Sequence, residues 1–136
     1  MTAVPSTFAS LALSPPLLAV VNALGYTHPT PIQTASIPAL VAGRDLIGQS
    51  KTGSGKTAAF ALPILQRLDL ANRSVQALVL CPTRELCAQV AREVRTLGRG
   101  HASLWRTHTL VGPRHLSAQG RDDPRHLARF RYIDVT

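Results

Sequence analysis

The sequence predicts an α/β fold: a parallel sheet flanked by helices, left incomplete, with a poorly patterned segment at its C-terminal end. Three observations carry this. Short apolar runs at 45–48 and 76–80 alternate with longer stretches of helical character. A loop rich in Gly, Ser and Thr joins the first run to the helix after it. Periodicity then fades beyond Gly100. Strands alternating with helices build parallel sheets through right-handed crossovers.

Ser14-Pro15-Pro16 before Leu17, Leu18, Val20, Val21 and Leu24 predicts a first helix, capped by Ser14 and ended by Gly25. Thr30-Pro31 repeats the start signal, for a helix over 32–42 broken near Pro38 and closed by Gly43. Asp45–Gly48 reads as a buried strand, Gln49–Gly55 as a loop, and Lys56–Leu68 as a helix kinked at Pro63. Gln76–Leu80 reads as a second buried strand. Thr83 is placed to cap a helix that runs to Leu97, with Arg95 in its last turn and Gly98 after it. Residues 101–136 hold four of the five histidines, Trp105 and six arginines. Thr107–Val111 and Phe130–Ile133 are the strand candidates there, while 114–129 shows no apolar face.

The 136 residues fit one domain, and 45% hydrophobic content with mean hydropathy +0.08 excludes a disordered polar chain. Ten prolines and nine glycines without a triplet period exclude a collagen-like repeat. The formal charge of +8 suits a polyanionic partner. Only Lys51 and Lys56 among the 15 cations are lysine, so a compositional bias toward arginine explains the charge equally well. Cys81 and Cys87 have no metal-type pairing and read as reduced, mostly buried thiols. The apolar run 17–24 holds Asn22 and falls far short of the roughly 20 residues a membrane span needs. No basic start marks a secretory signal. A cytoplasmic protein with no membrane association is expected.

The strongest chemical signal is Ser50-Lys51-Thr52-Gly53-Ser54-Gly55-Lys56-Thr57, between a predicted strand and a predicted helix. That is the setting of a phosphate-binding loop. Glycines let the backbone turn so that its amides face phosphate oxygens, and the helix start adds its dipole. Lys56 supplies a charge for the β- and γ-phosphates, and the Thr57 hydroxyl is placed to ligate Mg²⁺. Ser50 stands where the general pattern has Gly, and a small residue keeps the turn. A Gly/Ser-rich connection that binds nothing is the alternative.

Two further strings frame the loop. Gly25-Tyr26-Thr27-His28-Pro29-Thr30-Pro31-Ile32-Gln33 comes after Phe8, which lies 17 residues before Gly25. Pro82-Thr83-Arg84-Glu85-Leu86 comes after the second apolar run. Together the three resemble the Q motif, motif I and motif Ia of the DEAD-box RNA helicases of superfamily 2, in that family's order, over about residues 8–100. The resemblance implies an incomplete RecA-like (P-loop) sheet. It implies ATP rather than GTP, because Gln33 matches the glutamine that reads the adenine edge, and a carboxamide both donates and accepts. Phe8 matches an aromatic that packs near the base, with an ordinary core aromatic as the alternative. The implied ATP and Mg²⁺ site is therefore Phe8, Gln33, Ser50, Lys51, Thr52, Gly53, Ser54, Gly55, Lys56 and Thr57, with Thr57 on the metal. Pro82, Thr83, Arg84 and Glu85 match residues on an RNA sugar-phosphate backbone, and a local Arg84–Glu85 ion pair is the alternative. Lys51 stands where Gln is common and resembles a bacterial branch that acts on large-subunit ribosomal RNA. Cys87 stands where Ala is usual.

Beyond residue 100 the chain departs from the family. No Asp-Glu-Ala-Asp box is present: Asp122 and Asp123 come after no apolar run, and Asp134 has no acidic neighbour. Neither the Ser-Ala-Thr nor the Thr-Pro-Gly-Arg motif occurs. The expectation is an ATP-binding portion in residues 1–100, no catalytic residue, and a divergent or out-of-frame tail over 101–136. Unwinding by this chain alone is not expected. A small basic nucleotide- or RNA-binding module without turnover stays open. An unrelated P-loop NTPase is disfavoured by the Gln33 and Pro82–Leu86 strings. An unfinished sheet leaves edges and an apolar face uncovered, so marginal stability is also expected.

Overall fold

Helices make up most of the ordered backbone. The computed structural model describes residues 7–72, 74–100 and, as backbone, 132–134. A 3-10 turn, Phe8–Leu11, leads into α1 (Pro15–Ala23), α2 (Pro31–Val41) and α3 (Lys56–Arg67). Then come β1 (Leu78–Leu80), α4 (Arg84–Gly98) and β2 (Tyr132–Asp134).

The centre is α3. Its residues 58–63 and Leu65 are all buried, as expected of a helix covered on several sides. It packs against α2 on one side and α4 on another. Leu11, Leu17, Val21, Ile37, Leu62, Leu65 and Leu97 are sealed completely, and each such side chain contributes about 1.5–3 kcal/mol by leaving water. These residues come from the 3-10 turn and all four helices, so one core joins the elements on both sides of the loop.

The helix boundaries obey local chemistry. Gly25 takes φ +79°, and its N–H and that of Tyr26 close onto the Asn22 and Val21 carbonyls, both at 3.0 Å. This is a left-handed stop that glycine adopts without strain. Ser14 does sit at the α1 N-cap, but its hydroxyl makes no capping bond. Pro16 removes one of the two N–H donors that such a hydroxyl serves. The Ser14 N–H instead donates to Gln66 Oε1 at 2.9 Å, and the hydroxyl is buried without a partner.

Other expectations need correction. Pro38 does not break α2; α3, for which a kink and not a break is expected at Pro63, also runs on through its proline. Packing against the core holds both helices together despite the lost N–H. Residues 45–48 form no strand: Leu46 is exposed and Ile47 is 103% exposed. An apolar run becomes a buried strand only when neighbours occupy its edges and faces, and none of the described residues does so here. The second run is strand only over Leu78–Leu80, and it is half-buried rather than buried, with Leu80 49% exposed. Gln76 is spent elsewhere, its side chain bonding Asp69 and Asn72 across the preceding loop.

β1 pairs in parallel with β2, in the register Leu78↔Tyr132, Val79↔Ile133, Leu80↔Asp134. The strand expected at 130–133 is thus present, shifted toward the C-terminus. The strand candidate at 107–111 and the segment 114–129 lie outside the described residues. No described helix is long and apolar enough to cross a membrane.

Leu62→Ala is expected to lower the free energy of unfolding by about 2–5 kcal/mol in urea titration. Ile47→Ser should stay within about 0.5 kcal/mol of the parent while reducing binding of an apolar dye. A large stability loss on Ile47→Ser would show that this segment is covered.

Candidate functional site

The α2 start and the loop before α3 meet through one side chain. Thr30 caps α2: its hydroxyl accepts from the Gln33 N–H at 3.4 Å, and its own N–H donates to Gln33 Oε1 at 3.0 Å. This is a reciprocal capping box. The other end of the same carboxamide, Nε2, donates to the Gly55 carbonyl at 3.1 Å. Gln33 is 4% exposed, and a buried amide is tolerated only when bonded in this way. One Nε2 hydrogen and one Oε1 lone pair remain beyond these bonds.

The loop from Ser50 to Gly55 turns on two left-handed glycines, Gly53 at φ +75° and Gly55 at φ +83°. They differ in surroundings. A Cβ on Gly53 would meet nothing within 4 Å, whereas one on Gly55 would collide with Gln33 Nε2. Gly53 is required by backbone conformation alone, and Gly55 also by the close approach of Gln33. Ser50 and Ser54 join hydroxyls across the loop at 2.6 Å. Lys56 Nζ donates to the Ser50 carbonyl at 2.6 Å, so the ammonium lies against the loop's own backbone. Thr57 is half-buried in the first turn of α3. Lys51, Thr52 and Gly53 are exposed.

Phe8 is 3% exposed and belongs to the core, its ring centroid 6.0 Å from that of Tyr26 at a 38° tilt. Tyr26 is half-buried, and burial, then the nearby Glu93, raises its phenol pKa. At the start of α4, Thr83 caps the helix by accepting from the Leu86 N–H at 3.2 Å. Pro82, Thr83, Arg84 and Glu85 all face solvent, with Glu85 in the first turn. Cys81 and Cys87 are half-buried rather than mostly buried. No group of three or more His, Cys, Asp or Glu able to hold a metal occurs among the described residues.

The structure therefore unites Gln33 with the loop and keeps Pro82–Glu85 as a separate exposed helix start. Sequence reasoning missed the Gln33–Gly55 bond and the Ser50–Ser54 bridge. The spacing Thr30-x-x-Gln33 is itself a capping-box signature and places the Gln33 carbonyl oxygen in advance. No pattern announces the bond to Gly55.

Known proteins share this chain's sequence and backbone. Residues 30–132 match the DEAD/DEAH box helicase family, and the chain belongs to that family. It is 48% identical over 116 residues to "ATP-dependent rRNA helicase RRP3" of Meyerozyma guilliermondii, covering 85% of this chain and 24% of that one. It is 57% identical over 86 residues to "ATP-dependent RNA helicase DeaD" of Escherichia coli K12, covering 63% and 14%. Among solved structures it resembles S. cerevisiae Dbp5 bound to RNA and ADP BeF3, with a TM-score of 0.66 and 38% identity, covering 69% of this chain and 25% of that one. The chain thus spans about a quarter or less of these relatives and represents part of an N-terminal helicase core.

Gly55→Ala should destabilise the chain more than Gly53→Ala, which carries only the left-handed penalty of about 1–2 kcal/mol. Gln33→Ala should cost about 1–3 kcal/mol, because it removes half the capping box and leaves the Gly55 carbonyl unpaired. Urea unfolding of the three variants ranks them, and equal losses for the two glycines would contradict the close approach.

Proposed function

We propose that this chain is the ATP-binding portion of a DEAD-box RNA helicase core, carrying one RNA-contacting helix start and lacking the groups that drive turnover. The single observation behind this is the bond from Gln33 to Gly55, which ties a purine-reading candidate to a phosphate-binding loop. The carboxamide's remaining donor and acceptor suit the N6 and N7 edge of adenine. Loop amides between Ser50 and Gly55, with Lys56, would hold the phosphates of ATP. Phe8 would act from behind, through Tyr26, rather than by direct stacking.

Mg²⁺ fits this donor set in a limited way. The Thr57 hydroxyl is a hard oxygen at the helix start, and the described residues offer no acidic cluster nearby. The chain would thus supply one ligand, and nucleotide phosphate and water would complete the shell. When bound, the ion neutralises charge on the phosphates. The chain's own part is to bind and orient the nucleotide.

Thr83 and Arg84, at a capped and exposed helix N-terminus, would meet an RNA backbone phosphate with Pro82 and Glu85 beside them. Such contacts bind without reading sequence. The Dbp5 structure is one bound to RNA, DeaD is named an RNA helicase, and the Meyerozyma relative is named an rRNA helicase. RNA is the partner class proposed here, with ribosomal RNA as the narrower reading. The sheet is proposed to be the beginning of the RecA-like one, of which β1 and β2 are the described members. A cytoplasmic setting accords with this reading.

Calorimetry should detect ATP binding by the full chain, weakened at least about tenfold by Lys56→Ala, with no comparable GTP binding. Absence of any adenosine nucleotide uptake by folded chain would overturn the reading. RNA binding should weaken with salt, and Arg84→Ala should lower the slope of log K against log salt by about 1.

A further inference from the structure

The outward face of α4 carries one sign of charge. Arg84, Arg92, Arg95 and Arg99 are all exposed, and Arg99 keeps helical backbone angles as the C-cap. At 3.6 residues per turn they fall within an arc of about 80°, with Ala88 in the one gap. Val90, Val94 and Leu97 are buried on the opposite side. The row runs the length of the helix, about 22 Å from first arginine to last. Glu85, in the first turn, and the half-buried Glu93 both fall outside the arc. Helix stability does not explain the row. The dipole favours cations in the last turn but opposes Arg84 at the first. Arg92, Arg95 and Arg99, spaced three and four apart, repel one another. A face that needed only solubility would intersperse both signs.

We propose that this face of α4 is a track for the sugar-phosphate backbone of single-stranded RNA, running from the helix start at Arg84 on to Arg99. The track rests on RNA being the chain's partner, as proposed above for Thr83 and Arg84. A guanidinium is charged at every physiological pH and offers a planar fork of donors that phosphate oxygens accept. Phosphates along the row would relieve the repulsion between its arginines and release their own counterions. The face holds no aromatic side chain, so no base stacks on it and the backbone rather than the sequence is bound. The outside of a helix is convex and forms no groove. A flexible single strand can bend to lie along such a row, whereas a stiff duplex touches it at few points.

Fluorescence anisotropy of labelled oligouridylates, titrated with the full chain over a range of salt, provides the test. An oligomer of about 4 nucleotides reaches only the helix start, and one of about 16 spans the row. Arg92→Gln with Arg99→Gln should weaken the longer oligomer about tenfold at about 0.1 M salt and leave the shorter one unchanged. Its slope of log K against log salt should fall by about 1 for each arginine removed. Arg92→Lys with Arg99→Lys should keep most of that slope, since lysine still meets phosphate as a point charge. Arg44→Gln with Arg67→Gln removes the same charge from exposed positions outside α4 and should leave the slope unchanged. Equal losses from the two glutamine pairs would overturn the track in favour of net charge alone. So would displacement of the RNA by polyglutamate at equal charge, which marks an acidic protein as the occupant, or tighter binding of a duplex of the same length. Arg84→Ala separates the track from the reading it extends. If that change weakens the short oligomer while the Arg92 and Arg99 changes do nothing to the long one, the track alone falls. If only the Arg92 and Arg99 changes matter, the track stands and the helix-start contact falls. A folded chain that binds neither oligomer overturns both.

Discussion

The arrangement depends on one buried carboxamide. Gln33 accepts from the Thr30 backbone at one end and donates to the Gly55 carbonyl at the other. Two helices and the loop between them are thereby set in register by a single planar group. Burying it is costly in isolation, at several kcal/mol, so the bonds at both ends are a condition of the fold rather than an addition to it. The left-handed turn at Gly55 serves the same end, because only a residue without a β-carbon lets Nε2 come so near. Cap, loop and helix start are thus one unit.

Among the described residues the core is closed on its helical side. α3 is covered by α2 and α4, and the sealed residues lie among the helices. The strand region is different. Leu80, Val75, Leu46 and Ile47 all present apolar surface to water. A parallel sheet is normally buried on both faces, and the two short strands among the described residues do not form such a sheet.

The sequence announces its helices clearly, because their ends are written in residues with local physics: Thr30 and Thr83 as caps, Gly25 as a stop. The turn before α3 is equally plain, since Gly53 and Gly55 occupy left-handed positions. Strands are harder to read. Residues 45–48 are as apolar as a buried strand should be, yet strand formation depends on distant partners that a local run cannot reveal. Pro38 misleads for the opposite reason: tertiary packing carries α2 past a residue that would end it in isolation. Phe8 illustrates a third limit. Its position in the chain suits both a base-side aromatic and a core aromatic, and only its 3% exposure places it in the core.

The contact between Lys56 and Ser50 has an energetic corollary. An ammonium held by its own backbone keeps its full charge, because the carbonyl takes one of its three N–H donors and neutralises nothing. The bond limits where the side chain can go, so part of the rotamer entropy of a long lysine is already spent in the folded chain. The tether is a main-chain carbonyl, so it does not depend on which side chain stands at position 50.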